Sequence, residues 1–279
     1  MAAILEAKAV KFTYPDGTQA LKGVTLDIPE GKKIAVLGSN GAGKSTLFLH
    51  FNGILRPQEG DIYFAGTKLS YNHNALKKLR QHVGIVFQDP DSMLFSASVL
   101  QEISFGPLNL GLDRGQVLSR VQKAMEATGI TNLKDKPTHF LSYGQKKRVA
   151  IASVLAMEPE VIIFDEPTAY LDPKSIKEII ALLETINQQD KTIVLSTHDV
   201  DIAYSWADYT YVLAQGQVIG KGKPEEVFQN ASLLETADLT RPWILDVYEG
   251  LKKKGWLPVT APVPKNKAEL LELIPCKSN

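Results

Sequence analysis

Apolar residues fall along this chain in two alternating rhythms. KKIAVLG (32–38), VIIFD (161–165) and TIVLST (192–197) are short, β-rich and hydrophobic almost without interruption, as in strands buried on both faces of a parallel sheet. Runs with helical spacing go with them: STLFLHFNGI after the first, and IKEIIALLETINQQ between the second and third. Strands and helices in alternation predict an α/β core. Upstream, AAILEAKAVKFTY and the alternating VTLDI (24–28) predict antiparallel strands joined by the turn signal PDG.

Between Asp89 and roughly Pro159 the rhythm changes. VLQEISFGPLNLGL, QVLSRVQKAMEATGI and QKKRVAIASVLAM all have helical spacing, with no clear strand among them. They predict a helical subdomain (about 89–158) inserted into the core. Beyond residue 236, VPKNKAELLELI combines an Asn266–Glu269 capping spacing with apolar Leu270, Leu271, Leu273 and Ile274, and predicts a short terminal helix. The expected organisation is one domain over residues 1–235 and a C-terminal extension over 236–279.

Composition then narrows the partners. Across 279 residues, 31 Lys and Arg balance 31 Asp and Glu, so charge gives no case for nucleic acid or a charged membrane surface as the main partner. Cys276 is the only cysteine; it can form no internal disulfide, and a reducing, cytoplasmic setting is the simplest reading. MAAILEAKAVKF lacks the basic-then-apolar order of a signal peptide. No apolar run approaches the ~20 residues needed to cross a bilayer, so a role at a membrane would come through a partner. His50, His73, His82, His139 and His198 are scattered without metal-ligand spacing, so no transition-metal site is expected in this chain.

The chemistry begins at GSNGAGKS (Gly38–Ser45), which fits G-x-x-x-x-G-K-[ST] with strand before and helix after, a P-loop. Gly38, Ser39, Asn40, Gly41, Ala42 and Gly43 would turn backbone N–H groups around phosphate oxygens. Lys44, Ser45 and Thr46 open the helix whose positive end faces the same point. Lys44 would reach the β- and γ-phosphates, and Ser45 would ligate Mg²⁺. VIIFDEP places Asp165 at the carboxyl end of a strand, where open parallel sheets bind ligands. There Asp165 would hold Mg²⁺, and Glu166 would orient or deprotonate an attacking water. His198, in STHD, ends another strand where it would contact the γ-phosphate. Gln88, in VFQDPD, would offer Mg²⁺ its amide oxygen, and Tyr14 would stack on adenine. Taken singly, each of these three residues has an ordinary structural reading beside the functional one.

LSYGQKK (Leu141–Lys147) is the remaining feature. Ser142 and Gln145 have capping-box spacing, yet Lys146, Lys147 and Arg148 crowd the first turns, where the macrodipole favours carboxylates. With no nucleophile or general base, the stretch reads as an anion receptor built from the Ser142 hydroxyl, the N–H groups of Tyr143 and Gly144, and cations. The competing reading is a capped amphipathic helix whose Lys and Arg point to solvent.

GSNGAGKST, Gln88, LSYGQKKR, VIIFDEP, AYLDP (169–173) and STHD, in that order, resemble the nucleotide-binding subunits of ATP-binding cassette transporters over about residues 4–235. The resemblance implies a head-to-tail dimer with a second ATPase subunit, either another copy of this chain or a close paralogue. In it each ATP, with Mg²⁺, lies between one subunit's P-loop and the other's signature stretch, here Ser142, Tyr143, Gly144 and Gln145. Asp172, in AYLDP, would lie in the loop crossing that interface. Tyr143 replaces the first glycine of the usual LSGGQ, and Tyr170 replaces a residue usually small. LSYGQKKRVAIA with FQDPDSMLFSASVLQEISFGPLNLGL is similar, more narrowly, to ATPases of energy-coupling factor importers, above all those associated with cobalt uptake. That likeness implies a peripheral protein at the cytoplasmic membrane face. Its partners would be a transmembrane coupling protein, docking at Met93–Leu112 (Phe95, Phe105, Leu108), and a small membrane-embedded substrate-binding protein. The segment beyond 236 is similar to extensions that help such ATPases dimerise. Nickel or a vitamin would be the alternative solute. A soluble cassette ATPase acting on ribosomes or DNA is the reading from another class, disfavoured by the single cassette, the lack of a heptad run and the zero net charge.

Overall fold

The computed structural model describes residues 3–274, so Cys276 lies outside the described residues. Two sheets form the frame. Strands β1 (Ala3–Thr13), β2 (Gln19–Pro29), β4 (Glu59–Phe64) and β5 (Thr67–Lys68) make an antiparallel sheet in the order β2-β1-β4-β5. The β1–β2 turn closes as PDG predicts, with Tyr14 N donating to Thr18 O (2.9 Å) and Asp16 accepting from Thr18 N. The larger sheet holds β3 (Lys33–Leu37), β6 (Val83–Val86), β7 (Val161–Asp165), β8 (Thr192–Thr197), β9 (Tyr209–Ala214) and β10 (Gln217–Gly222), ordered β10-β9-β3-β8-β7-β6. All its pairings are parallel except β9–β10. The three apolar runs that predicted central strands are its β3, β7 and β8, buried through their length apart from the half-buried Lys33.

Parallel register decides what meets at the carboxyl edge. Leu37 pairs with Thr197, and Asp165 with Ser196. The residues that follow each strand, namely the P-loop, Glu166 and His198, therefore emerge side by side, although more than a hundred positions separate the first from the others. The two sheets are stitched together close by: Lys22 N donates to Gly216 O (2.8 Å), and a Cβ on Gly216 or Gly43 would lie 2.7 or 2.6 Å from Ala20 O. Both glycines have positive φ, so close backbone approach and left-handed conformation coincide there.

Helices α1 (Lys44–Phe51) and α2 (His73–His82) precede the helical layer of α3 (Val99–Asn109), α4 (Arg114–Ala127) and α5 (Tyr143–Leu155). This layer has its own core, including Val99, Ile103, Val121, Met125, Val149 and Ala152. The opposite face of α5, through Ala150, Ile151 and Val154, joins the main core with Val86, Ile162 and Phe164. Thus α5 belongs to both layers.

The remaining helices are α6 (Pro173–Asn187), α7 (Val200–Trp206), α8 (Pro224–Val227), α9 (Ala231–Thr236), α10 (Trp243–Lys253) and α11 (Lys267–Leu273). Asn266 caps α11 through Glu269 N (3.0 Å), but of its expected apolar stripe only Leu270 is buried, and Leu271 is exposed. Segment 236–274 folds back on its own chain. Ile244, Leu245, Tyr248 and Leu257 enter the core with Tyr204 and Phe228, while Trp243 N donates to Asp201 and Tyr204 OH to Pro264 O.

Gly84 in β6 sets how near α5 can lie: a Cβ there would be 2.4 Å from Val154 Cγ1 and 3.3 Å from Pro159. Gly84→Ala overpacks this contact and should destabilise the chain by about 1–3 kcal/mol. A thermal melt lowered by several degrees is expected; an unchanged midpoint would show that α5 is not seated on β6 as described.

Candidate active site

The P-loop takes its shape from glycine. A Cβ on Gly38 would stand 2.3 Å from Leu213 O, and Gly43 serves as N-cap of α1 with φ 103°. Gly43 has no side chain with which to cap, and α1 has no acid in its first turn. Intrahelical bonding begins at Leu47 N→Gly43 O (2.9 Å), so the N–H groups of Lys44, Ser45 and Thr46 need another acceptor. Helices α2 to α7, by contrast, are each capped by a side chain: Asn72, Ser98, Asp113, Ser142, Asp172 and Asp199. An uncapped helix N-terminus beside a cation suits phosphate. Tyr14 reaches the same turn, its hydroxyl 3.0 Å from Thr46 Oγ1.

Lys44 is 5% exposed; its ammonium donates to Gly38 O (2.7 Å) and Ser39 O (3.1 Å) and lies 3.5 Å from Glu166 Oε1. The other Glu166 oxygen is 3.1 Å from His198 Nδ1. Glu166 itself is buried and has a φ of 43°. Ser196, fully buried, donates its hydroxyl to Asp165 Oδ1 (2.5 Å) while its oxygen accepts from Glu166 N (2.9 Å). One hydroxyl thus fixes both neighbouring acids. Ser45, Gln88 and Asp165 offer a hydroxyl, an amide oxygen and a carboxylate, an all-oxygen donor set that fits Mg²⁺ bound together with phosphates.

Around LSYGQ the expected capping box is present: Ser142 N donates to Gln145 Oε1 (3.0 Å) and Gln145 N to Ser142 Oγ (3.4 Å). The cations behind it differ from both readings of the sequence. Lys146 is paired with Asp91 (2.5 Å), and Arg148 with Glu178 while also donating to Thr128 O. Lys147 is fully buried, donating to Gln88 O (2.5 Å). They neither serve an anion receptor nor point to solvent, because this chain already engages them. Burial pulls the Lys147 ammonium down to about 8, against the opposing pull of Asp165, Asp89 and Glu166. What remains outward is Ser142 with the first-turn N–H groups of Tyr143 and Gly144. Among the described residues, no hydrogen bond or ion pair joins 142–145 to 38–46.

Asp172 spends its carboxylate as the N-cap of α6, accepting from Lys174 N, Ser175 N and Ser175 Oγ, and these bonds hold it below the usual carboxylate range. Tyr170 is 82% exposed with φ 62°, and its ring meets Tyr143 edge-on at 6.1 Å. Ser196 is not picked out from sequence, and Lys147 is read there as one of the cations of an anion receptor, not as a buried donor to Gln88 O. The signal for Lys147 existed: 147, 150, 151 and 154 share one face of α5, and all four are buried.

The family model described as ABC transporter matches residues 21–169, more than half of the chain. An energy-coupling factor transporter ATP-binding protein, EcfA, from Methanocaldococcus jannaschii is 47% identical over 92% of this chain and 92% of its own length. A putative ABC transporter ATP-binding protein from Methanosarcina mazei is 49% identical over 90% of this chain, which spans 56% of that protein. Among solved structures, cbiO1 from Clostridium perfringens, described as part of the ABC transporter complex cbiONQ, superimposes with a TM-score of 0.76 at 48% identity, over 89% of this chain and all of that one. With the P-loop, the paired acids and the capped LSYGQ helix all in place, the chain belongs to the ATP-binding cassette family as an ATPase subunit of the energy-coupling factor type.

Proposed function

We propose that two copies of this chain, paired head to tail, hydrolyse ATP at the carboxyl edge of the sheet and thereby power uptake of cobalt ion through membrane partners. The observation that carries the hydrolytic part is Glu166, held between Lys44 and His198 beside the uncapped end of α1. On this reading the P-loop N–H groups and Lys44 bind the β- and γ-phosphates, exchanging the carbonyls of Gly38 and Ser39 for phosphate oxygens. Tyr14 stacks on adenine. Glu166 accepts a proton from the attacking water and, with His198, aims it at the γ-phosphorus. Ser45, Gln88 and Asp165 would hold Mg²⁺, which supplies charge neutralisation on the phosphates when bound.

Head-to-tail pairing is supported by the outward set of Ser142, Tyr143 and Gly144, which makes no bond to its own P-loop and suits the γ-phosphate on a second copy. Gln145 holds that set in shape through the capping box. Asp172, as the cap of α6, would keep the AYLDP loop and its exposed Tyr170 in place at the interface.

No helix among the described residues is long and apolar enough to cross a membrane, so transport requires membrane partners. Phe95, Phe105 and Leu108 are 67%, 48% and 57% exposed. The buried Glu102 carboxylate accepts from Phe95 N and Ser96 N and so presents that aromatic cluster. It suits a transmembrane coupling protein, which would bring this chain to the cytoplasmic face as a peripheral subunit. A second, membrane-embedded protein would bind the solute. The likeness of LSYGQKKRVAIA and of Phe87–Leu112 to cobalt-uptake ATPases supports cobalt.

Lys44→Ala removes a charge-assisted phosphate contact worth about 1.5–3 kcal/mol. Nucleotide affinity, measured with a fluorescent ATP analogue, should fall about ten- to a hundredfold; unchanged affinity would contradict the phosphate assignment. Affinity capture of the full chain from detergent-solubilised membranes of its source should bring down a transmembrane coupling protein with a small integral cobalt-binding protein. Recovery of soluble proteins or ribosomes alone would overturn the transport reading and leave the ATPase chemistry standing.

A further inference from the structure

One main-chain oxygen, that of Gln88, receives two side-chain donors from the same helix. Lys147 Nζ lies 2.5 Å from it and Tyr143 OH 3.2 Å, both on α5. The Lys147 ammonium is also 3.5 Å from Glu166 O and 5.8 Å from the Tyr143 ring. Among the described residues it forms no ion pair. An ammonium with 0% exposure whose partners are main-chain carbonyls is a costly thing to bury. Its neighbours on the core face of α5 are Ala150, Ile151 and Val154, so an apolar residue would suit that face better. Stability does not explain this lysine.

Its position does. Gln88 follows β6, Glu166 follows β7, and Lys147 stands on the helix that LSYGQ opens. The carbonyls it holds belong to the residues whose side chains are the amide-oxygen donor and the hydrolytic carboxylate proposed above. Tyr143 extends the same contact outward, through its ring edge, to Tyr170 in the exposed AYLDP loop. A glycine in place of Tyr143 would supply neither contact.

We propose that Lys147 and Tyr143 are positioning residues for hydrolysis, forming a clamp on the Gln88 carbonyl that makes α5, Gln88 and Glu166 move as one unit. The clamp rests on the hydrolytic reading of Glu166. It touches neither nucleotide nor water; it fixes the main chain from which the working side chains project. When a second copy engages Ser142 and Tyr170, the displacement of α5 is passed through Lys147 to the carboxylate in its own chain.

The test uses the full chain as wild type, Lys147→Met, Tyr143→Phe and the double variant. Binding of a fluorescent ATP analogue, steady-state ATP turnover and thermal melting are measured for each. Lys147→Met keeps the volume and removes the buried charge, so it should melt at or above the wild-type temperature. Its nucleotide affinity should stay within about twofold, while kcat falls about tenfold or more with little change in KM. Tyr143→Phe should lower kcat about threefold, again with affinity kept. Because both act on one carbonyl, the double variant should be no slower than Lys147→Met alone. Wild-type kcat in either single variant overturns the clamp, as does a double variant whose loss is the product of the two. A Lys147→Met chain that loses melting temperature, affinity and kcat together marks a purely structural lysine and overturns it as well. If that variant does not fold, Tyr143→Phe decides alone. A wild-type chain that binds ATP but never turns it over defeats the hydrolytic reading itself, which is a separate result.

Discussion

Four buried charges meet at one edge of a parallel sheet, and the surrounding loops are arranged to keep them there. Lys44 opens α1, Lys147 lies on α5, and Asp165 and Glu166 stand at the end of β7, each less than a tenth exposed. Charges removed from water persist only when paired or fully hydrogen-bonded, yet the one direct ion pair among the four is Lys44–Glu166 at 3.5 Å. Main-chain carbonyls and a buried hydroxyl do the rest: Gly38 and Ser39 for Lys44, Gln88 for Lys147, Ser196 for Asp165. Backbone conformation and charge placement therefore determine each other. A shift in any of the loops after β3, β6 or β7 changes the solvation of a charge, which gives the site a physical reason to respond as a unit.

That unit is held from both sides. On one side the antiparallel sheet reaches the P-loop through the glycines packed on Ala20 and through Tyr14 on Thr46. On the other, α5 is seated on β6 by the missing side chain at Gly84 and shares its two faces between the helical layer and the main core. The aromatic cluster at Phe95 and Phe105 belongs to the same helical layer, through Glu102 on α3. A force applied there has a packed route, α3 to α5, toward Gln88 and Glu166.

Local patterns made much of this legible in the sequence. The P-loop, the acid pair after VIIF and the histidine after TIVLST were readable because strand, turn residues and chemistry are contiguous there, and parallel register brings them together with no further information. Gly84, Ser196 and Lys147 were harder, since their meaning lies in partners on other elements: Val154 for Gly84, Asp165 for Ser196 and Gln88 for Lys147. The charge run Lys146–Arg148 misled for the same reason: Asp91, Gln88 and Glu178 take up its three cations from other elements. In the C-terminal extension the capping spacing at Asn266 located α11. The burial of α10 against Tyr204 and Phe228 depends on tertiary packing that no short window displays.

Whether ATP lies between two copies of this chain is tested most directly by sedimentation of the full-length Glu166→Gln variant, which on the proposed role of Glu166 should retain binding and lose turnover. With ATP and Mg²⁺ it should sediment as a stable dimer, and with ADP as a monomer. A chain that binds ATP at saturation and still sediments as a monomer would contradict the shared site.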